Sequence, residues 1–301
     1  VKAMRTLLPD GGIRETKAPG VIIQRDLFDQ RLAECARAEG VEIRTEVRVV
    51  AYERGEVVLR PTWGGMIRMR PAVIIGADGP HSTVGKWMGS RVRRLIPGFQ
   101  VRVPLTRSME HTEVAFHSKI FGAYGWVFPR GDEANVGIAL AGGDFTHGAL
   151  RAVLDGFLGR MAREGNVQSA TRKPIFGWIP AAPLDRVVRG NMMLAGDAAG
   201  HAHPITGAGI SNAILAGRLA GKWAVEAVRK GDLSVLQGYE EELREELGET
   251  LTHGDHRRRL LETHWDRLSE VLPYCWIGFR EYFQEIPGRF NMKKGRPGQL
   301  R

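Results

Sequence analysis

Residues 191–221 read NMMLAGDAAGHAHPITGAGISNAILAGRLAG, and the fold turns on how this stretch is parsed. Met192, Met193, Leu194 and Ala195 form an apolar run the length of one buried strand. Gly196-Asp197 sets a carboxylate where that strand ends, and Pro204 with its small neighbours makes a turn. Gly207-Ala208-Gly209 then opens a long helical pattern at Ile210. Glycines let backbone N–H groups approach a ligand closely, and the helix dipole favours negative charge at that end. A strand-end carboxylate beside such a helix start suits a ligand with a sugar-like diol and an anionic head. A plain strand–loop–helix unit with flexible glycines is the competing reading.

Three further stretches fall in order around it. Arg25-Asp26-Leu27-Phe28-Asp29, with Leu32, starts a helix. Ile75-Gly76-Ala77-Asp78-Gly79-Pro80-His81-Ser82 turns sharply out of an apolar run, and Tyr124-Gly125-Trp126-Val127-Phe128-Pro129 alternates aromatic residues. Together with GDAAGHAHPITGAGISNAILAG, these resemble the motifs of p-hydroxybenzoate-hydroxylase-like flavoproteins. Within that group they resemble the geranylgeranyl reductase family, with its R-x-x-F-D-x-x-L, GADG-x-x-S, Y-x-W-x-F-P and GDAAG stretches. The matches cover most of residues 20 to 245. The family's aromatic motif begins with a proline three residues before the tyrosine, where this chain has Phe121.

The resemblance implies an α/β fold, α+β overall: a partial Rossmann-like FAD-binding sheet, an antiparallel β substrate domain and a C-terminal helical segment. It implies an N-terminally truncated FAD-binding domain over 1–90 and a substrate-binding domain over 91–187. The second half of the FAD-binding domain would span 188–232, and a C-terminal helical region with a basic tail 233–301. FAD would be held by Arg25, Asp78, Gly79, Gly196, Asp197, Pro204, Gly207, Ala208, Gly209 and Ile210. Asp197 would hold the ribityl or phosphate region rather than act as an acid or base. A prenyl chain would lie against Tyr124, Trp126, Phe128 and Pro129. NAD(P)H or ferredoxin would reduce the flavin, which passes a hydride to a carbon–carbon double bond. A monooxygenase or halogenase of an aromatic substrate, and an inactive fragment, are the alternatives. No residue is singled out as proton donor.

A chain of 301 residues suggests about two domains with a sizeable core. Composition is that of a globular protein, 43% hydrophobic and 26% charged. No run approaches the ~18 apolar residues of a membrane span, and no signal-peptide pattern opens the chain. Cys35 and Cys275 are too few for a disulfide framework or a zinc site, which points to a reducing, cytoplasmic setting. A net charge of +9 favours anionic partners, such as phospholipid headgroups or a pyrophosphate-bearing substrate. Nucleic acid is disfavoured because the basic residues are scattered and carry no recognition motif. A solvated basic surface explains the charge equally well, and the oligomeric state stays open.

From the N-terminus, a turn at Pro9-Asp10-Gly11-Gly12 reads as a hairpin, and Val21-Ile22-Ile23 as a strand. No G-x-G-x-x-G follows a strand near the start. The resembling family opens with that unit, so the chain reads as beginning after it, or as partnered by a chain that supplies it. Gln24 to Glu39 reads as an amphipathic helix on which Phe28, Leu32, Cys35 and Ala36 share a face. Cys35 would pack there as a small hydrophobe. Val41 to Arg70 reads as a strand and a β-meander, and Ala72 to Ala77 as a buried parallel strand. Ser82 caps a helix through Met88, and Asp78 either reaches the cofactor or steadies its own turn. Val101 to Ala141 reads as antiparallel strands, with Tyr124, Trp126 and Phe128 on one side.

Thr146 to Arg163 reads as a helix, and Phe176 to Pro180 leads back to the sheet. Ala213, Ala216, Gly217, Ala220 and Gly221 would let the next helix pack closely. Leu233 to Thr252 reads as a helix with Tyr239 and its glutamates on a solvated face. His253 to Arg301 mixes Arg257-Arg258-Arg259 and Lys293-Lys294 with aromatics, as a cap over the substrate pocket or an anionic-membrane contact, ending in a disordered tail from Gly288. His253 and His256 lack the acidic or thiol complement of a metal site. His201 and His203 flank the cofactor motif and could tune charge or deliver a proton there.

Overall fold

The computed structural model describes residues 1–142, 147–168 and 174–290. A hairpin of β1 (Ala3–Leu7) and β2 (Ile13–Lys17) opens the chain, followed by α1 (Arg25–Ala38). β3 (Val47–Glu53), β4 (Glu56–Pro61) and β5 (Ile67–Met69) form the expected meander, and β6 (Ile74–Gly76) leads into α2 (Thr83–Met88). Then come β7 (Leu95–Pro104), β8 (His111–Ala115), β9 (Gly125–Arg130), β10 (Glu133–Ala139), α3 (His147–Arg163) and β11 (Ile175–Pro180). β12 (Val188–Arg189) and β13 (Met192–Leu194) precede three helices, α4 (Ile210–Lys230), α5 (Gln237–Thr263) and α6 (Leu268–Cys275).

The large sheet has the order β11-β7-β10-β9-β8-β1-β2 and is antiparallel except where β1 runs parallel to β8. The small sheet, β12-β13-β6, sets β13 parallel to β6 with Leu194 opposite Gly76. Asp78 and Asp197 therefore leave the carboxyl ends of adjacent strands, where α/β sheets bind ligands. A Cβ on Gly125 would stand 3.0 Å from the Phe157 ring, so Gly125 faces α3. Alternation turns Trp126 and Phe128 to the opposite face. Leu150, Leu154 and Met161 of α3 fill one core with Val101, Val127 and Ile138. On the other face Leu260, Val271 and Trp276 pack with Val114 and Phe116. A third core joins Met193 and Leu194 to Ala216, Leu219 and Tyr239.

Several local expectations give way to packing. Val21–Ile23 joins no ladder, with Val21 84% exposed, and residues 41–46 likewise form no strand. The 3–17 hairpin extends the large sheet rather than the cofactor-binding half. Helix α1 has its predicted periodicity but buries none of its residues, and Cys35 is exposed rather than packed. Tyr239 is fully buried, not solvated, and its hydroxyl donates to the Leu194 carbonyl at 2.7 Å. On α4 the close contacts belong to Ala216 and Ala220, whereas Gly217 and Gly221 face open space. Helix α5 runs unbroken past Thr252. Gly288–Phe290 is not loose: it forms a 3-10 turn that buries Phe290. Thr146, Lys293, Lys294 and the rest of 291–301 lie outside the described residues.

Candidate cofactor and substrate site

The apolar strand β13 ends at Ala195, and Gly196, at φ 62°, swings the chain into a 3-10 turn carrying Asp197. One Asp197 carboxylate oxygen lies 3.5 Å from where a Cβ on Gly209 would sit, so the strand end and the glycine turn do meet. Burial pushes the Asp197 carboxyl above its ordinary range, and the Arg25 guanidinium pulls it back down. Arg25 itself pairs with Asp29 at 2.8 Å. Gly209 starts α4 without a side-chain cap, which leaves first-turn N–H groups for a ligand. The carboxylate, the cation and these uncapped amides fit the diol and diphosphate of FAD.

The loop between Asp197 and Gly209 is locked from several sides. The His203 N–H donates to the Ala208 carbonyl at 2.7 Å, and the Gly207 N–H to the His203 carbonyl at 2.8 Å. His203 Nδ1 accepts from the N–H groups of Ile205 and Thr206, both at 3.3 Å. Those donors fix Nδ1 as the bare nitrogen, and Tyr282 Oη lies 3.3 Å from Nε2. Asn212 holds the His201 carbonyl at 2.7 Å. Burial pushes both His201 and His203 down to about 4, so each ring is neutral at pH 7.

Tyr124, Trp126 and Phe128 form the expected aromatic row, with ring centroids 6.1 Å and 6.2 Å apart. Trp126 is part of the core, and its ring fits over Gly98 and Gly137, where no Cβ obstructs it. Tyr124 does more than line a wall. Its hydroxyl donates to the Thr206 carbonyl, tying the aromatic strand to the cofactor loop. Burial raises that hydroxyl to about 12, so it remains a donor. Pro129 continues the same strand, and Phe121 is half-exposed against Trp265 with centroids 5.4 Å apart.

Asp78 is less available. Its carboxylate accepts from Ser82 Oγ at 2.5 Å and from the Thr83 N–H at 2.6 Å, capping α2. The turn-stabilising reading describes it, although Pro80, His81 and Ser82 border a cavity of about 130 Å³ with Ala198 of the other motif. The two motif loops are neighbours, then, and Gly79, at φ 79°, shapes the first of them.

Arg258 is the residue that the sequence hid inside a basic run. It is buried, its Nε donates to the Pro204 carbonyl, and an NH1 proton reaches the Gly122 carbonyl at 2.7 Å. Glu262 pairs with it at 3.1 Å and with Arg94 at 2.5 Å. Burial lowers the Arg258 pKa, which Glu262 partly offsets. Gly254, four residues earlier on α5, would place a Cβ 2.9 Å from Pro204 Cδ. The spacing Gly254, Arg258, Glu262 marks one helix face, and that period was the available signal.

No family model matches the chain. It is 32% identical over 295 residues to the digeranylgeranylglycerophospholipid reductase of Methanothrix thermoacetophila, covering 90% of this chain and 74% of that protein. To the enzyme of the same name from Methanocella arvoryzae it is 30% identical over 271 residues, covering 83% and 68%. With that of Methanosarcina mazei the figures are 31% over 252 residues, 76% and 60%. The chain thus spans between 60% and 74% of these relatives' length. Among solved structures, a geranylgeranyl bacteriochlorophyll reductase-like protein from Thermoplasma acidophilum superposes with a TM-score of 0.79 at 26% identity, covering 90% of this chain and 73% of that one. PqsL of Pseudomonas aeruginosa, a probable FAD-dependent monooxygenase, shares the fold with a TM-score of 0.67 at 21% identity, covering 90% and 81%.

Proposed function

We infer the activity from one premise: the chain belongs to the family of the digeranylgeranylglycerophospholipid reductases, FAD-dependent oxidoreductases of the geranylgeranyl reductase type. We propose that it saturates carbon–carbon double bonds in the prenyl chains of a glycerophospholipid. The observation that carries this reading is the meeting of Asp197 with the uncapped start of α4, tied through Tyr124 to an aromatic strand. FAD, when bound and reduced, supplies the hydride. Asp197 would hold hydroxyl groups of the cofactor, and the first-turn amides of α4 would hold its anionic groups. Gly207 and Gly209 keep side chains out of the approach. Tyr124, Trp126 and Phe128 exclude water and hold an apolar chain by burial rather than by hydrogen bonds. His203, neutral at pH 7, holds the loop through Nδ1.

A nicotinamide or a ferredoxin is the electron donor in this reading. Among the described residues no helix is long and apolar enough to cross a membrane.

The test is an anaerobic assay of the FAD-loaded protein, reduced chemically, with a geranylgeranyl-bearing phospholipid. Mass spectrometry should show a gain of two hydrogens per reduced bond, and Asp197→Ala should lower FAD retention. No saturated chain in that assay, with oxygen uptake and a hydroxylated product when the same mixture is run in air, would overturn the proposal in favour of a monooxygenase.

A further inference from the structure

An apolar cavity of about 540 Å³ opens on the α3 side of the large sheet, across from the aromatic row. Its size falls within the ~300–1,000 Å³ typical of small-molecule sites. Leu8, Ala115, Ile120, Val153 and Phe157 give it apolar walls, while Lys119 and Arg160 bring positive charge. The Lys119 ammonium has no partner among the described residues. The Arg160 guanidinium rests over the Phe157 ring at 5.1 Å and pairs with Glu164 at 3.3 Å.

Gly156 is the second observation. It lines this cavity from the middle of α3, where glycine costs roughly 1 kcal/mol relative to alanine. Neither usual reason for a glycine applies: its φ is not positive, and nothing stands within 4 Å of where its Cβ would be. A side chain there would project into the cavity mouth. The walls are too apolar for a small free anion alone, and the cations make no use of a neutral hydrocarbon alone.

We propose that this cavity binds one hydrocarbon chain of an anionic membrane phospholipid, the chain running past Gly156 and the phosphate resting on Lys119 and Arg160. The site lies on the opposite face of the sheet from the cofactor loop and does not depend on the reaction proposed above. It would hold the protein to an anionic bilayer by inserting a chain, not by surface charge alone, which fits a net charge of +9.

The test is calorimetric titration of the 301-residue chain with dodecyl phosphate below its micelle concentration, beside inorganic phosphate and dodecyl maltoside. One dodecyl phosphate should bind per chain. Gly156→Leu fills the cavity from a better helix former, so circular dichroism should be unchanged while affinity falls by about tenfold or more. Lys119→Glu should weaken dodecyl phosphate by about tenfold and spare the maltoside. Equal affinity of wild type and Gly156→Leu, or inorganic phosphate binding as well as dodecyl phosphate, would refute the site. Co-sedimentation with phosphatidylglycerol vesicles should fall in Gly156→Leu, and undiminished sedimentation refutes a bilayer lipid as occupant. FAD retention read on the same variant should not change, which keeps this outcome separate from that of the cofactor site.

Discussion

Arg258 carries its charge into the interior, and three acceptors from three parts of the chain receive its protons: the carbonyls of Pro204 and Gly122 and the Glu262 carboxylate. Removing a buried, bonded charge leaves those acceptors stranded, so Arg258→Ala should cost about 3–5 kcal/mol in denaturant unfolding. Arg258→Lys should recover only part of that, because an ammonium cannot reproduce the guanidinium fork. A loss below about 1 kcal/mol for the alanine variant would contradict the role drawn for it. His203 sets a pH dependence. Its folded-state value, pushed down to about 4, lies below the ordinary 6.5, so the native ring is neutral. The unfolded chain therefore binds the extra proton first, and stability is complete above about pH 6.5 and lost as pH falls towards 4. His201 acts in the same window and direction. The side-chain oxygen of an asparagine would stand where the imidazole Nδ1 accepts, so His203→Asn should keep the loop and remove about half of the Tm decline between roughly pH 7.5 and 5.

Among the elements, β10 and α4 use glycine in opposite ways. A Cβ on Gly137 would collide with the Trp126 ring and lie 2.5 Å from the Phe99 carbonyl oxygen, and a backbone atom cannot give way cheaply. Gly137→Ala should therefore destabilise by about 3 kcal/mol or more through overpacking, read as a lowered Tm with loss of the Trp126 near-ultraviolet signal. Gly217 on α4 faces open space, so Gly217→Ala should add up to roughly 1 kcal/mol. A matching rise at both positions would refute the account of how Trp126 is seated. The same contrast explains which elements could be read from the sequence. The Ser82 cap, whose Oγ accepts from the Gly85 N–H at 2.8 Å, depends on four neighbouring residues and was legible. So were β13 and the start of α4. Val21–Ile23 has strand composition but no strand beside it, and Tyr239 sits in a charged helix whose buried face is decided by β13. Those outcomes rest on distant packing that local pattern does not carry.

Among the described residues, several apolar groups of the small sheet and its helices stand in the open. β6 is an edge strand with Ile75 40% exposed, α1 buries nothing, and Ile214, Val225 and Val228 stand out along α4. An open parallel edge with an apolar flank invites another strand. Light scattering of this chain should show concentration-dependent association, and Ile75→Lys should reduce it. No change on that substitution would mean that the edge is not what associates. At this scale the candidate cofactor site was half legible: the Asp197–Gly209 meeting lies within one local stretch, whereas Arg258, 54 residues beyond Pro204, looked like one more surface cation. That separation also sets an order in time. A ribosome adding about 5–20 residues per second needs roughly 3–11 seconds after Pro204 to deliver its guanidinium partner. During those seconds the nascent loop has its glycines but not its brace, so tight flavin capture should wait until Arg258 has left the ribosome.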